Sequence, residues 1–209
     1  FTPHCARVQP RVLVDGLADA VRRRGGTILE GVRVARAGDG VVVLGSGRRI
    51  TAGQVVIATE GWTPRLPRLQ RRIAPVYSLM VATEPLSDAQ WARVGLAERE
   101  VFSDHGHVVI YGQRTDDGRL ALGGRGAPYH WGSAVGPEFD HEPAVFEQLR
   151  RTLDDLLPQL GGVRISHAWG GPLGIARDWH PSVSYDPLTR TGIAGGYVGD
   201  GVAASNLAG

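Results

Sequence analysis

Gly195-Gly196-Tyr197-Val198-Gly199-Asp200-Gly201-Val202-Ala203-Ala204-Ser205-Asn206-Leu207-Ala208-Gly209 closes the chain. Apolar Ile193 and Ala194 lead into four glycines within seven residues, and a helix-forming sequence follows. Glycine backbones reach positive φ and admit a flat or charged ligand that would collide with a Cβ. A helix beginning there aims unpaired N–H groups and a partial positive charge at such a ligand. The stretch reads as a cofactor or anion site. Its alternative is a glycine-rich strand-to-helix turn that serves packing alone.

A second segment completes the first. Residues 54–58 are nearly all apolar, as expected of a strand covered on both faces, and run into Thr59-Glu60-Gly61-Trp62. In a doubly wound sheet, ligands sit beyond the carboxyl ends of strands. Paired with the terminal loop, this bend reads as the other half of one ligand site. Gly199-Asp200-Gly201-Val202-Ala203-Ala204 fits the spacing of a dinucleotide fingerprint, but no second strand or later acidic residue accompanies it. It is not read as a pyrophosphate loop. A nicotinamide-dependent dehydrogenase would need that unit to continue downstream.

Around these segments the pattern alternates. Residues 11–24 predict a helix with Leu13, Leu17 and Val21 on one face, stopped by Gly25-Gly26. A short strand is expected at 27–29, and Gly45-Ser46-Gly47 predicts a hairpin between 41–44 and 48–51. After Pro64 and Pro67 the character changes. A strand at 77–82, a short helix capped by Ser87, a hairpin turning at Thr115-Asp116-Asp117-Gly118, a helix at 143–157 and a strand at 164–168 are expected. The apolar stripe of the longer helix is Phe146, Leu149, Leu153, Leu156 and Leu157. A strand at 182–185 returns the chain to its first style. The fold class is α/β and α+β, one domain interrupted by another.

The 209 residues are 42% hydrophobic and 21% charged, which describes a globular protein. A net charge of +2 without a basic stripe argues against nucleic acid. One cysteine, Cys5, leaves no internal disulfide and fits a reducing, cytoplasmic setting. No apolar run reaches membrane-spanning length. Asp104-His105-Gly106-His107 shows no convergent third metal ligand and reads as an exposed loop, so no metal is expected. There is no Gly-x-Ser-x-Gly elbow. Trp62, Trp91, Trp131 and Trp169 read as packing residues, and Asp154 and Asp155 as a solvated helix face. An opening Phe1 and an end two turns into a helix are expected of a piece of a longer protein.

Thr2-Pro3-His4-Cys5-Ala6-Arg7-Val8-Gln9-Pro10, residues 55–61, Arg114-Thr115-Asp116-Asp117-Gly118-Arg119, Gly123-Gly124-Arg125-Gly126-Ala127-Pro128-Tyr129, Trp169-Gly170-Gly171-Pro172 and residues 196–206 carry a resemblance. In order along the chain, they resemble the D-amino-acid-oxidase-type FAD-dependent oxidoreductases, in the branch of glycine oxidase, sarcosine oxidase and gamma-glutamylputrescine oxidase-like enzymes. The family's N-terminal strand–Gly-x-Gly-x-x-Gly–helix unit, which holds the FAD pyrophosphate, would lie upstream of Phe1. The resemblance implies a partial Rossmann-like FAD-binding domain at 11–66 and 181–209, interrupted by an antiparallel substrate domain at 67–180, with 1–10 a substrate-domain strand or linker.

Residue by residue, the resemblance sets Val34 against the adenine, and Ala58, Thr59 and Gly61 near the FAD phosphates and ribityl chain. Gly199, Asp200, Gly201 and Val202 fall in the loop against the flavin pyrimidine ring. A helix N-terminus there favours the negative charge of reduced flavin, and Asp200 is expected to cap the helix with its side chain turned away. Candidates facing a small-molecule amine or amino acid are Tyr111, Arg114, Arg125, Tyr129, His130, Arg177 and Trp179, with Arg125 foremost among the arginines. The implied reaction is oxidation of a C–N bond by hydride transfer to flavin N5, with oxygen as acceptor. The alternatives are a dehydrogenase using a quinone or protein acceptor, and a noncatalytic module. No catalytic acid or base is assigned.

Overall fold

A computed structural model describes residues 6–104, 106, 109–124 and 126–209. In chain order the elements are α1 (Pro10–Arg23), β1 (Val34–Gly38), β2 (Val41–Leu44), β3 (Arg49–Thr51), β4 (Val55–Ile57), β5 (Ile73–Thr83), α2 (Asp88–Val94) and β6 (Val101–Ser103). There follow β7 (Ile110–Arg114), β8 (Leu120–Gly124), α3 (Pro143–Leu156), β9 (Ile165–Ala176), β10 (Ser182–Asp186), β11 (Thr191–Gly195) and α4 (Gly201–Ala208). The chain divides into two compact units, each assembled from three separated segments. The first comprises the described residues of Phe1–Leu29, Ser78–Ala127 and Asp140–Gly170; the second comprises Glu30–Tyr77, Pro128–Phe139 and Gly171–Gly209.

The first unit is organised by a sheet of order β6-β7-β8-β5-β9. Alternation along β5 and β8 turns Leu79, Val81, Leu120 and Leu122 inward, and none of them is more than 1% exposed. Amphipathic α3 covers this face with Val145, Leu149 and Leu153. A Cβ on Gly124 would lie 3.1 Å from Leu149, so glycine lets the helix approach the sheet. The expected stripe is narrower: Val145 is buried, whereas Leu156 is 45% exposed at the last turn. The β7–β8 hairpin turns where expected, with Gly118 at φ 79° and the Arg119 N–H donating to Thr115 Oγ1 at 2.8 Å. Ser87 caps α2 through a reciprocal capping box with Gln90. None of the residues of α1 is buried.

In the second unit, β1-β2-β3 form an antiparallel meander, and β10-β11-β4 form a separate sheet. Val55, Ile57 and Leu66 make one small core cluster, joined by partly buried Ala37, Val42, Leu69 and Ile193, and Ile73, Tyr77 and Ile175 are buried in the same unit. Three expectations are corrected here. Residues 27–29 are not a strand, and β1 forms instead where Val-Ala-Arg-Ala-Gly has no apolar alternation, because pairing with β2 outweighs local preference. The strand β4 is not covered on both faces: it ends its sheet, and Val56 is 70% exposed. The strand β9 runs well past residue 168, through Gly170, Gly171, Pro172 and Gly174; as an end strand it tolerates a proline that a central strand would not. Among the tryptophans only Trp91 is buried; Trp62, Trp131 and Trp169 are exposed, Trp131 almost completely.

Candidate cofactor site

The second unit brings the two glycine-bearing bends together. Strand β11 lies parallel to β4, with Thr191 opposite Val55 and Ile193 opposite Ile57. Parallel neighbours end at the same edge of a sheet, so residues 58–61 and 196–200 leave β4 and β11 side by side. The first bend turns at Glu60, whose φ of 42° is left-handed, and continues as a 3-10 turn over Glu60–Arg65. The second passes through Gly196 at φ 75° and Gly199 at φ 103° before α4 begins.

Glu60 joins them. Its carboxylate accepts the N–H of Gly196 at 2.8 Å, of Tyr197 at 3.1 Å and of Gly174, on β9, at 3.2 Å. The Val198 N–H in turn donates to the Gly174 carbonyl at 3.1 Å. Neighbouring glycines make room for the carboxylate. A Cβ on Gly174 would fall 2.8 Å from Glu60 Cδ, and one on Gly195 would fall 2.9 Å from Oε2. Packing is equally close at Gly61, where a Cβ would sit 2.5 Å from the Pro172 carbonyl oxygen. Thr59 and Thr63 share a hydroxyl hydrogen bond of 2.9 Å across the 3-10 turn. The amino-acid sequence did not single out Glu60; its one signal was a carboxylate shortly after an apolar strand and directly before a glycine.

Among the described residues, the N-terminus of α4 has no side-chain cap. Asp200 occupies the N-cap position, but its side chain makes no cap bond, which corrects the expected capping role. The first intrahelical bond is Ala204 N–H to the Asp200 carbonyl, at 3.1 Å. The N–H groups of Gly201, Val202 and Ala203 precede it, at the positive end of the helix. Ala58, Thr59, Gly199, Asp200 and Val202 are exposed, while Gly61 is buried against Pro172. Val34 opens β1, partly exposed, beside an irregularity in its pairing with β2.

The substrate candidates divide between the units. In the first, Tyr111 lies on Gly123 and shares a 2.5 Å hydrogen bond with Ser78 Oγ. Arg114 stacks 4.5 Å over the Trp91 ring. Arg125 lies outside the described residues, as do His105 and His107. In the second unit, Tyr129 is tied to Ser133 through its hydroxyl, and His130 stacks on Phe139 at 3.6 Å. Arg177 and Trp179 are exposed, and Arg177 lines a cleft of about 320 Å³ with Arg72 and His180. No group of metal-ligating side chains occurs among the described residues, and no helix there is long and apolar enough to cross a membrane.

The family model described as FAD dependent oxidoreductase, DAO, matches residues 1–209. The chain belongs to this family. It is 30% identical over 206 residues to a protein of Rhizobium meliloti named probable oxidoreductase OrdL, covering 97% of this chain and 45% of that protein. Its fold is similar to that of glycine oxidase from Geobacillus kaustophilus, with a TM-score of 0.74 at 21% identity over 94% of this chain and 50% of that one. Iminodiacetate oxidase from a Chelativorans species gives 0.73 at 15% identity, over 97% and 53%. The DAO chain thus spans about half the length of these relatives. The family's cofactor is FAD, and the paired bends suit it: a glycine-bearing, Cβ-poor loop leads into a helix whose first-turn donors carry no cap.

Proposed function

We propose that the whole protein oxidises the C–N bond of an amine or amino acid, with oxygen as electron acceptor. When bound, FAD supplies a two-electron acceptor that takes hydride at N5. The observation that carries this reading is the parallel alignment of β4 and β11, which sets two glycine-bearing bends at one sheet edge. Ala58, Thr59 and Gly61 are assigned to the phosphates and ribityl chain, Val34 to the adenine, and Gly199, Asp200, Gly201 and Val202 to the pyrimidine ring. Uncapped N–H groups at Gly201 and Val202 favour negative charge on that ring, which makes reduction easier.

The amine class is supported by neighbours of the same fold, named glycine oxidase, iminodiacetate oxidase and L-proline dehydrogenase. The cleft lined by Arg72, Arg177, Asp178 and His180 offers a substrate carboxylate two arginines, either of which can grip it through two parallel hydrogen bonds. Tyr129 and Trp179, in the same unit, are proposed substrate contacts, and Tyr111 and Arg125 keep the substrate-facing roles that the resemblance implies. Orientation of a neutral amine, rather than a dedicated acid or base, is the work assigned to these side chains.

The protein from its complete reading frame is expected to purify yellow. Its visible flavin absorption should bleach anaerobically with one member of a panel of amines and amino acids, and return on admitting air. Bleaching that only a quinone or electron-transfer protein reverses would assign a dehydrogenase. A colourless protein, or a flavin that no member of the panel reduces, would defeat the proposal.

A further inference from the structure

Glu60 is the feature that the family reading leaves unused. A carboxylate at a left-handed backbone position is uncommon, and its cost is sustained only where surrounding contacts hold it. Here they do: three backbone N–H donors from two other segments converge on it, from as far as 136 and 137 residues along the chain. Glycines 174 and 195 leave the space it fills. None of the three donors is part of the α4 first turn. The carboxylate therefore consumes the amides on the sheet side of the loop and leaves those on the helix side for a ligand.

We propose that Glu60 is the positioning residue of the cofactor site, a polar latch that fixes residues 196–200 against the end of β4. It touches no reacting atom. Its effect passes through the backbone: with the Gly196 and Tyr197 amides held, the loop leaves β11 in one geometry, and the start of α4 is placed before cofactor arrives. Bond strength follows charge, because hydrogen bonds to an ionised acceptor are about twice as strong as neutral ones. Glutamine keeps one acceptor oxygen but turns an NH2 toward donors, and alanine keeps neither. This role rests on the flavin reading of the two bends.

The test compares the parent with Glu60→Gln and Glu60→Ala in the protein from its complete reading frame. Hydrogen exchange of the peptide covering residues 193–199 is measured without cofactor, and the FAD dissociation constant and visible flavin spectrum are measured with it. Exchange there is expected to accelerate about tenfold or more in Glu60→Ala, and less in Glu60→Gln, with exchange in β7 and β8 unchanged. FAD affinity should fall in the same order by about tenfold, with a shifted flavin band. Folded variants with parental exchange at 193–199 would overturn the latch while leaving the flavin reading intact. Faster exchange with unaltered FAD affinity and spectrum would overturn its link to the cofactor. A parent that takes up no FAD would overturn the flavin reading, and this role with it. If Glu60→Ala fails to fold, the near-isosteric Glu60→Gln decides by the same readouts.

Discussion

The two units hold their strands by different means. In the first, β5 and β8 are locked by aliphatic side chains, with Leu79, Leu120 and Leu122 fully buried under α3. In the second, β4 and β11 bury little beyond Val55, Ile57 and Leu66, and their carboxyl ends are joined by the Glu60 carboxylate and three backbone amides. Apolar packing is indifferent to direction and needs volume; a hydrogen-bonded carboxylate needs particular donors at particular places. The first arrangement makes a scaffold. The second makes a loop whose geometry is specified to within a hydrogen bond while its outer surface stays open to a ligand.

That contrast can be broken. Leu122→Ala removes a side chain with no exposed surface, and is expected to cost about 3 kcal/mol in a urea melt, with near-uniform loss of structure in the first unit. A cost near zero would mean that the sheet is not the scaffold. In the second unit the sensitive change adds volume rather than removing it. Gly61→Ala drives a Cβ toward the immovable Pro172 carbonyl and should cost about 2 kcal/mol, with accelerated exchange in residues 58–63 and 171–174. Equal exchange in parent and variant would show that the bend yields, contrary to a specified geometry.

The smallest effect concerns charge on the scaffold's own surface. Hydrogen bonds from Arg150, and then from Arg151, hold the Glu147 carboxyl down at about 2 from its ordinary 4.5. A depressed folded value means that the stabilisation is present above 4.5 and is lost as pH falls toward 2. Glu147→Gln should therefore melt slightly below the parent at neutral pH and converge with it in acid. Added salt should shrink the gap, because the pair is on the surface. A large gap that salt leaves unchanged would show that the scaffold also depends on ion pairing.

Local chemistry was legible wherever a few adjacent residues decide a shape. The Thr115-Asp116-Asp117-Gly118 turn, the Ser87 cap and the Pro143 start of α3 each need only their own neighbours, and each forms as its residues imply. Strand β1 and the long β9 were not legible, since pairing partners rather than side-chain pattern make them strands. Asp200 shows the same limit on a smaller scale: it stands at the N-cap as a capping residue should, yet makes no cap bond.

For the site, the glycines at 61, 196 and 199 were visible in one dimension because only a missing side chain permits these bends. Their adjacency was decided in three dimensions, by the parallel pairing of β4 with β11. Glu60 belongs wholly to that second kind of knowledge. A carboxylate beside an apolar strand has no stated purpose until distant donors arrive at 2.8–3.2 Å, and backbone amides carry no mark in a sequence of side chains.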